Sequence, residues 1–234
     1  MGKTNISWTN YSHNFWFGCK KVSPGCRSCY AERDMKRFGK DFNIVTKAKG
    51  FDKPLNWEDP AMVFTCSWSD FFIEEADDWR DDAWDIIRRT PHLTYQILTK
   101  RPENILSRLP DDWGEGYPNV WLGVSIESHK YSIRGWRLID VPARVRFISA
   151  EPLLDWVFIN GLLSFQDIFW VIVGGESGSN CRPMKLEWVR LIRDACKQHG
   201  VAFFMKQDAG PKPGMRGRIP DDLWIQEFPD IERK

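Results

Sequence analysis

No stretch of this 234-residue sequence approaches the ~20 consecutive apolar residues that a bilayer-spanning helix needs. The start, Met1-Gly2-Lys3-Thr4-Asn5, lacks the apolar segment of a secretory signal, so a cytoplasmic location is expected. Charge of one sign is also missing: 33 Lys and Arg oppose 32 Asp and Glu, for a net charge of +1. That balance gives no argument for electrostatic capture of nucleic acid, although an uneven distribution would supply one. The four histidines (His13, His92, His129, His199) are scattered, with no pair at metal-ligand spacing. No low-complexity linker divides the chain, and one domain over residues 1–234 is expected.

Cysteine is present in a telling pattern. Three of the six fall within eleven residues, in Gly18-Cys19-Lys20-Lys21-Val22-Ser23-Pro24-Gly25-Cys26-Arg27-Ser28-Cys29. Gly18, Pro24 and Gly25 let the backbone bend so that Cys19, Cys26 and Cys29 face one centre. In a reducing compartment such a cluster favours metal or redox chemistry over disulfides. Three soft ligands without a nearby fourth suit a centre that keeps one coordination position open. The alternative is a zinc knuckle completed by His13 or another residue. Zinc knuckles usually show two cysteine pairs, and no second pair exists here.

A strand is expected at about 14–17, then the cysteine loop, then a helix over 31–38 stopped by Gly39. Residues 40–60 read as an irregular excursion. From residue 62 a pattern repeats, with strands over 62–68, 94–100, 120–126, 144–150, 170–174 and 201–206. Helical stretches fall at 77–89, 102–109, 128–139 and 186–200, with a looser segment at 153–165. Alternating βα units of this kind give an α/β fold with a parallel sheet, closed fully or partly into a barrel. The tail from Pro211 through Pro229 should lie extended over it. Met62, Phe64, Cys66 and Trp68 share one strand face, expected to pack outward against helices, and Cys196 sits on an apolar helix face.

Nearly every strand ends in polar or charged residues: Ser69 and Asp70, Thr99 and Lys100, Ser125 and Glu127, Ser149 and Glu151, Glu176, and Lys206 and Gln207. In a barrel these ends meet at the C-terminal mouth, where such folds bind substrate. The cysteine loop follows a strand and would open onto the same mouth.

The motifs Trp8-Thr9, Gly18-Cys19, Val22-Ser23-Pro24-Gly25-Cys26 and Cys29-Tyr30-Ala31 resemble the radical S-adenosylmethionine (radical SAM) superfamily. More closely they resemble a phage and bacterial family with this signature, and more distantly the spore photoproduct lyase branch. The resemblance extends through Leu98-Thr99-Lys100-Arg101-Pro102, Gly123-Val124-Ser125-Ile126-Glu127, Ser149-Ala150-Glu151-Pro152 and Gly174-Gly175-Glu176-Ser177-Gly178. It implies a partial (β/α)6 TIM barrel and a [4Fe-4S] cluster held by Cys19, Cys26 and Cys29. It further implies S-adenosylmethionine cleavage to a 5′-deoxyadenosyl radical, hydrogen abstraction from substrate, and an electron donor such as flavodoxin or ferredoxin. The spacing departs from the usual motif, with six and two residues between cysteines instead of three and two. Ser28 stands where an aromatic is usual, which makes Tyr30 the candidate to hold the adenine.

The superfamily's Gly-Gly-Glu-like motif belongs at the second strand, and Gly174-Gly175-Glu176 comes too late for it. Ser67, Ser69 and Asp70 take that position, Asp70 toward the ammonium of S-adenosylmethionine and the serines toward its carboxylate. Lys100 would also pair with the carboxylate, and Ser125 and Glu127 would reach the ribose. Glu151 and Glu176 remain for substrate or proton handling, and Cys181 is a candidate substrate-site thiol. The resemblance to the lyase branch makes a nucleic-acid base, modified or not, one candidate substrate beside a peptide or a small molecule, with Trp68, Phe71, Phe72 and Trp121 as candidate stacking rings. A non-catalytic zinc- or cluster-containing nucleic-acid-binding protein is the alternative.

Overall fold

The apolar runs become strands buried on both faces. In the computed structural model, which describes residues 3–231, β6 (Val120–Ser125), β7 (Val145–Ala150) and β8 (Ile168–Gly174) contain no exposed residue. Residues 1–2 and 232–234, the ends of the expected unit and the first two residues of the N-terminal stretch read for a signal, lie outside the described residues. With β1 (Tyr11–His13), β4 (Ala61–Thr65), β5 (Leu93–Thr99) and β9 (Ala202–Gln207), these strands make one parallel sheet in the order β1-β4-β5-β6-β7-β8-β9. Within this sheet each strand pairs with the member that follows it in the chain. The sheet curls into a half-barrel: the two edge strands, β1 and β9, are not paired with each other. The molecule is thus a partial TIM barrel.

Two cores lie on either side of this sheet. The outer one packs strand residues such as Val120, Leu122, Val124 and Val171 against the helices. These include α2 (Asp77–Arg89), α3 (Ile133–Ile139), α4 (Asn160–Leu163) and α5 (Leu186–His199). The inner one is an aromatic plug of Trp8, Phe64, Trp121, Phe147, Trp170 and Phe204. Gly123 makes room for it, since a Cβ there would collide with the Phe147 ring.

Several expectations change. Met62 and Phe64 belong to the inner plug and not to the helix-facing side. Alternation shows which residues share a face, but a sheet apolar on both sides leaves open which face is inside. Cys66 takes a left-handed backbone (φ 57°), which breaks the alternation and turns its thiol into the outer core. Of the strand expected at 14–17 only β2 (Trp16–Phe17) forms, pairing antiparallel with β3 (Thr46–Lys47), and it is β1, just upstream, that enters the main sheet. The helix expected over 102–109 is two 3-10 turns, Pro102–Asn104 and Leu106–Arg108, and only Asn160–Leu163 of the 153–165 segment is α-helical. Helices α2 and α5 match their expected spans within a residue, acidic at the start and basic at the end of α2 as the helix dipole favours.

Both sheet edges are covered. Lys3 bridges antiparallel to Tyr11. At the other edge the tail runs along β9, with Ile225 O accepting from Met205 N at 2.7 Å and Glu227 N donating to Phe203 O at 3.0 Å. Ile219 and Leu223 anchor the tail in the outer core.

Candidate active site

At the C-terminal ends of the strands lies a cavity of about 860 Å³, within the ~300–1,000 Å³ of small-molecule sites. Cys19, Cys26 and Cys29 all line it. So do Ser12 and Asn14 at the end of β1, Thr99 and Lys100 at the end of β5, and Ser125, Ser149, Glu151, Glu176, Lys206 and Gln207 at the ends of the remaining strands. The expected convergence of strand ends is present.

The cysteine loop leaves β2 through Gly18, whose φ of +92° favours glycine and whose close approach to Ile44 O leaves no room for a Cβ. Three buried or half-buried ion pairs from three strand ends then grip the loop's backbone. After β5, Arg101 pairs with Asp70 (3.1 Å) and donates from Nη2 to Lys20 O at 2.7 Å. After β6, Glu127 pairs with Arg134 (2.7 Å) and accepts from Gly25 N at 3.4 Å. After β8, Glu176 pairs with Arg182, which donates from Nη1 to Pro24 O at 3.0 Å. Sequence reasoning misses these arginines, because nothing local marks a contact spanning 80 residues or more.

Each thiol has its own surroundings. Burial, with Asp70 nearby, pushes Cys19 up to about 12, against the opposing pull of Arg101, whose Nη1 donates to Cys19 Sγ at 3.6 Å. Cys29 is the residue before α1 (Tyr30–Arg37). Burial raises it as well, while the amides of Glu32 and Ala31 act in the opposite direction from the helix N-terminus without closing a cap hydrogen bond. Cys26 Sγ lies 3.7 Å from Ser23 Oγ. Donors aimed at sulfur suit thiolates bound to iron. Among the described residues no three His, Cys, Asp or Glu side chains are grouped closely enough to hold a single metal ion. Three thiols with a guanidinium, a hydroxyl and helix amides directed at their sulfurs fit the soft donor set of an iron–sulfur centre. His13 does not join it: Ser12 and Asn14 line the cavity, while His13 faces away and bonds to Phe51 O at 3.3 Å.

The other expected residues divide into two groups. Lys100 is half-buried in the cavity and forms no ion pair among the described residues. Ser125 and Ser149 are register partners on adjacent strands and both line the cavity. Glu151 lines it in a 2.5 Å pair with Lys206. Asp70, by contrast, already accepts from Phe72 N, Thr99 Oγ1, Lys100 N and Arg101 Nη1, which fills its acceptor sites. Glu127 lies fully buried beneath the loop and is not among the cavity-lining residues. Glu176 lines the cavity but is held by Arg182. Cys181 lies outside the lining, in the turn after Gly178. Ser69 Oγ donates to Gly18 O, and Ser67 Oγ bonds to Ser12 Oγ at 2.7 Å. Tyr30 donates to Ser67 O at 2.7 Å, and burial raises its phenol, so its ring is fixed in the wall as a neutral surface.

Of the four expected stacking rings, only Trp68 is at the mouth. Phe71 and Phe72 are fully buried in the outer core, and Trp121 belongs to the inner plug. Trp68 is instead joined by two rings that the sequence does not mark. Phe17 meets it edge-on at 5.9 Å, and Phe38, 69% exposed, lies over it at 6.1 Å and 30°.

Fold and site define a half-open (β/α) barrel whose mouth carries a clamped three-cysteine loop. The chain belongs to the family described as "Protein of unknown function (DUF5131)", whose model matches residues 3–218. No curated protein matches the sequence. Among solved structures it is similar to a spore photoproduct lyase mutant with bound AdoMet and dinucleoside spore photoproduct, at 12% identity and a TM-score of 0.53. The match covers 84% of this chain and 63% of that one, and it shows a shared fold. Among the described residues no helix is long and apolar enough to cross a membrane.

Proposed function

We propose that the protein is a radical SAM enzyme acting on a nucleic-acid base. The observation that carries this is the convergence of Cys19, Cys26 and Cys29 on the mouth of a partial barrel that also opens onto an 860 Å³ chamber. Bound there, a [4Fe-4S] cluster would supply the electron that cleaves S-adenosylmethionine to methionine and a hydrogen-abstracting 5′-deoxyadenosyl radical.

The chain's own groups have separable tasks. Lys100 offers an unpaired ammonium to a carboxylate, and the Ser125 and Ser149 hydroxyls offer bonds to a ribose. The Glu151–Lys206 pair can hold or pass a proton on the far wall. Asp70 and Glu127 position the loop and do not touch the cofactor. Ser67 and Ser69 fix the wall behind Tyr30.

The rim supports the choice of substrate. Residues 20–40 carry seven cations (Lys20, Lys21, Arg27, Arg33, Lys36, Arg37 and Lys40) against Glu32 and Asp34, in a chain of net charge +1. Lys20 and Lys21 are paired with Glu75 and Glu32. Arg27, Lys36 and Lys40 are exposed and form no ion pair among the described residues, and Lys40 stands 5.2 Å over the Phe17 ring. A polyanion would find charge and stacking faces together here. A flavodoxin or ferredoxin is the expected electron donor.

The test is anaerobic purification, which should yield a brown protein with roughly four irons per chain. Dithionite and S-adenosylmethionine should then release 5′-deoxyadenosine. Alanine at Cys19, Cys26 or Cys29 should abolish both, while Cys181→Ala should keep the iron. Colourless protein with stoichiometric zinc would instead favour a binding protein without turnover.

A further inference from the structure

We propose that Arg101 tunes the cofactor centre, donating a hydrogen bond to the sulfur of Cys19 and thereby raising the reduction potential of the cluster bound there. The inference rests on the radical SAM reading and concerns how this chain's own charge acts on one ligand.

Four features place the Arg101 guanidinium. Its backbone N donates to Thr99 Oγ1 at 2.9 Å, and Pro102 follows it, so the side chain leaves β5 from a constrained turn. Nη1 is shared between Asp70 Oδ2 at 3.1 Å and Cys19 Sγ at 3.6 Å. Nη2 donates to Lys20 O at 2.7 Å, the carbonyl next to Cys19 in sequence. Asp70 is in turn fixed by Thr99, Lys100 and Phe72. The planar fork therefore cannot swing away from the sulfur without breaking bonds to both Asp70 and the loop.

The contact is selective. Among the described residues only Cys19, of the three loop thiols, has a charged donor on its sulfur; Cys26 faces the Ser23 hydroxyl and Cys29 faces helix amides. The ion pair is also nearly dry, with side chains 9% and 6% exposed. A guanidinium stays protonated at any working pH, so it is a permanent cation beside one corner of the centre. Reduction adds an electron to that centre. Hydrogen bonds to cluster sulfurs and nearby positive charge stabilise the electron-rich state, which moves the potential upward. The sulfur contact is separate from the loop-holding one, since Nη2 holds Lys20 O while Nη1 reaches Cys19 Sγ.

The experiment compares wild type, Arg101→Lys and Arg101→Gln, reconstituted anaerobically. Iron and sulfide are counted, and the midpoint potential is read by redox titration with electron paramagnetic resonance of the reduced form. The expected result is full iron in all three. Arg101→Gln should titrate at a lower potential than wild type, and Arg101→Lys, which keeps the charge but loses the fork, should fall between them. Full iron with an unchanged midpoint in Arg101→Gln would overturn the tuning role. So would loss of iron from both variants, which would make Arg101 a structural clamp. Wild-type protein that takes up no iron would instead overturn the cluster reading itself.

Discussion

Arg182 holds Glu176 from two sides, with Nε and Nη2 on the two carboxylate oxygens, and still has Nη1 left to reach Pro24 O. Burial alone would raise the Glu176 carboxyl; the Arg182 bonds overcome it and hold it below its ordinary value of 4.5. A carboxyl lowered by folding adds stability that is present above its unfolded value and lost as pH falls through the folded one. Loop order, read as the alkylation rate of Cys26 divided by that of an unstructured cysteine peptide at the same pH, should therefore be flat from neutral pH to about 4.5 and rise below it. Arg182→Ala should speed alkylation across the whole range and remove the acid limb.

The buried pair beneath the loop gives a larger effect. Glu127 is fully buried and Arg134 nearly so. Glu127→Ala strands the guanidinium and should cost about 3–5 kcal/mol in urea denaturation. The double variant Glu127→Gln/Arg134→Met should cost less than Glu127→Ala, since no unpaired buried charge remains.

His13 should set the mild-acid behaviour of stability. Burial, outweighing its bond to Phe51 O, lowers it from 6.5 to about 4. Between those values the unfolded chain binds the extra proton, so stability should fall as pH drops through that window. The loss is on the order of 3 kcal/mol, and His13→Phe should abolish it. Denaturation midpoints at pH 7 and 4, in wild type and in His13→Phe, test this.

Phe38 and Phe71 should behave oppositely. Phe71→Ala opens the outer core and should cost about 3–5 kcal/mol. Phe38→Ala should change stability by less than about 0.5 kcal/mol yet weaken binding of a labelled single-stranded oligonucleotide roughly tenfold. Phe38→Trp should restore it. Fluorescence anisotropy at two salt concentrations decides, because binding at this rim must also fall with salt.

The strands are legible in the sequence because their apolar runs are longer than any competing pattern, and α2 and α5 because their apolar faces and ends agree. Residues 102–109 resemble a helix in composition, with Pro102 and Pro110 where a helix start and stop would put them, yet the chain takes two 3-10 turns there. At the site, sequence marks the set of strand-end groups without sorting it. Asp70 and Lys100 follow their strands in the same manner, but Asp70 is surrounded by Thr99, Lys100 and Arg101, and Lys100 is left open to the cavity. Glu127 and Glu151 likewise follow adjacent strands, and the covering loop buries the first and not the second. The loop-gripping arginines depend on pairings that exist only once the sheet has curled. The aromatic rim depends on where α1 ends, so in the sequence Phe38 is indistinguishable from any surface ring.

The parting between β1 and β9 bears on what kind of guest the barrel can receive. A complete ring of strands would admit only molecules small enough to drop in from above. Here one wall stops short, flanked by residues 4–8 on one side and Pro213 and Gly214 on the other. A long polymer could lie crosswise along that gap and offer a single unit to the interior while the rest of its length stays in solvent.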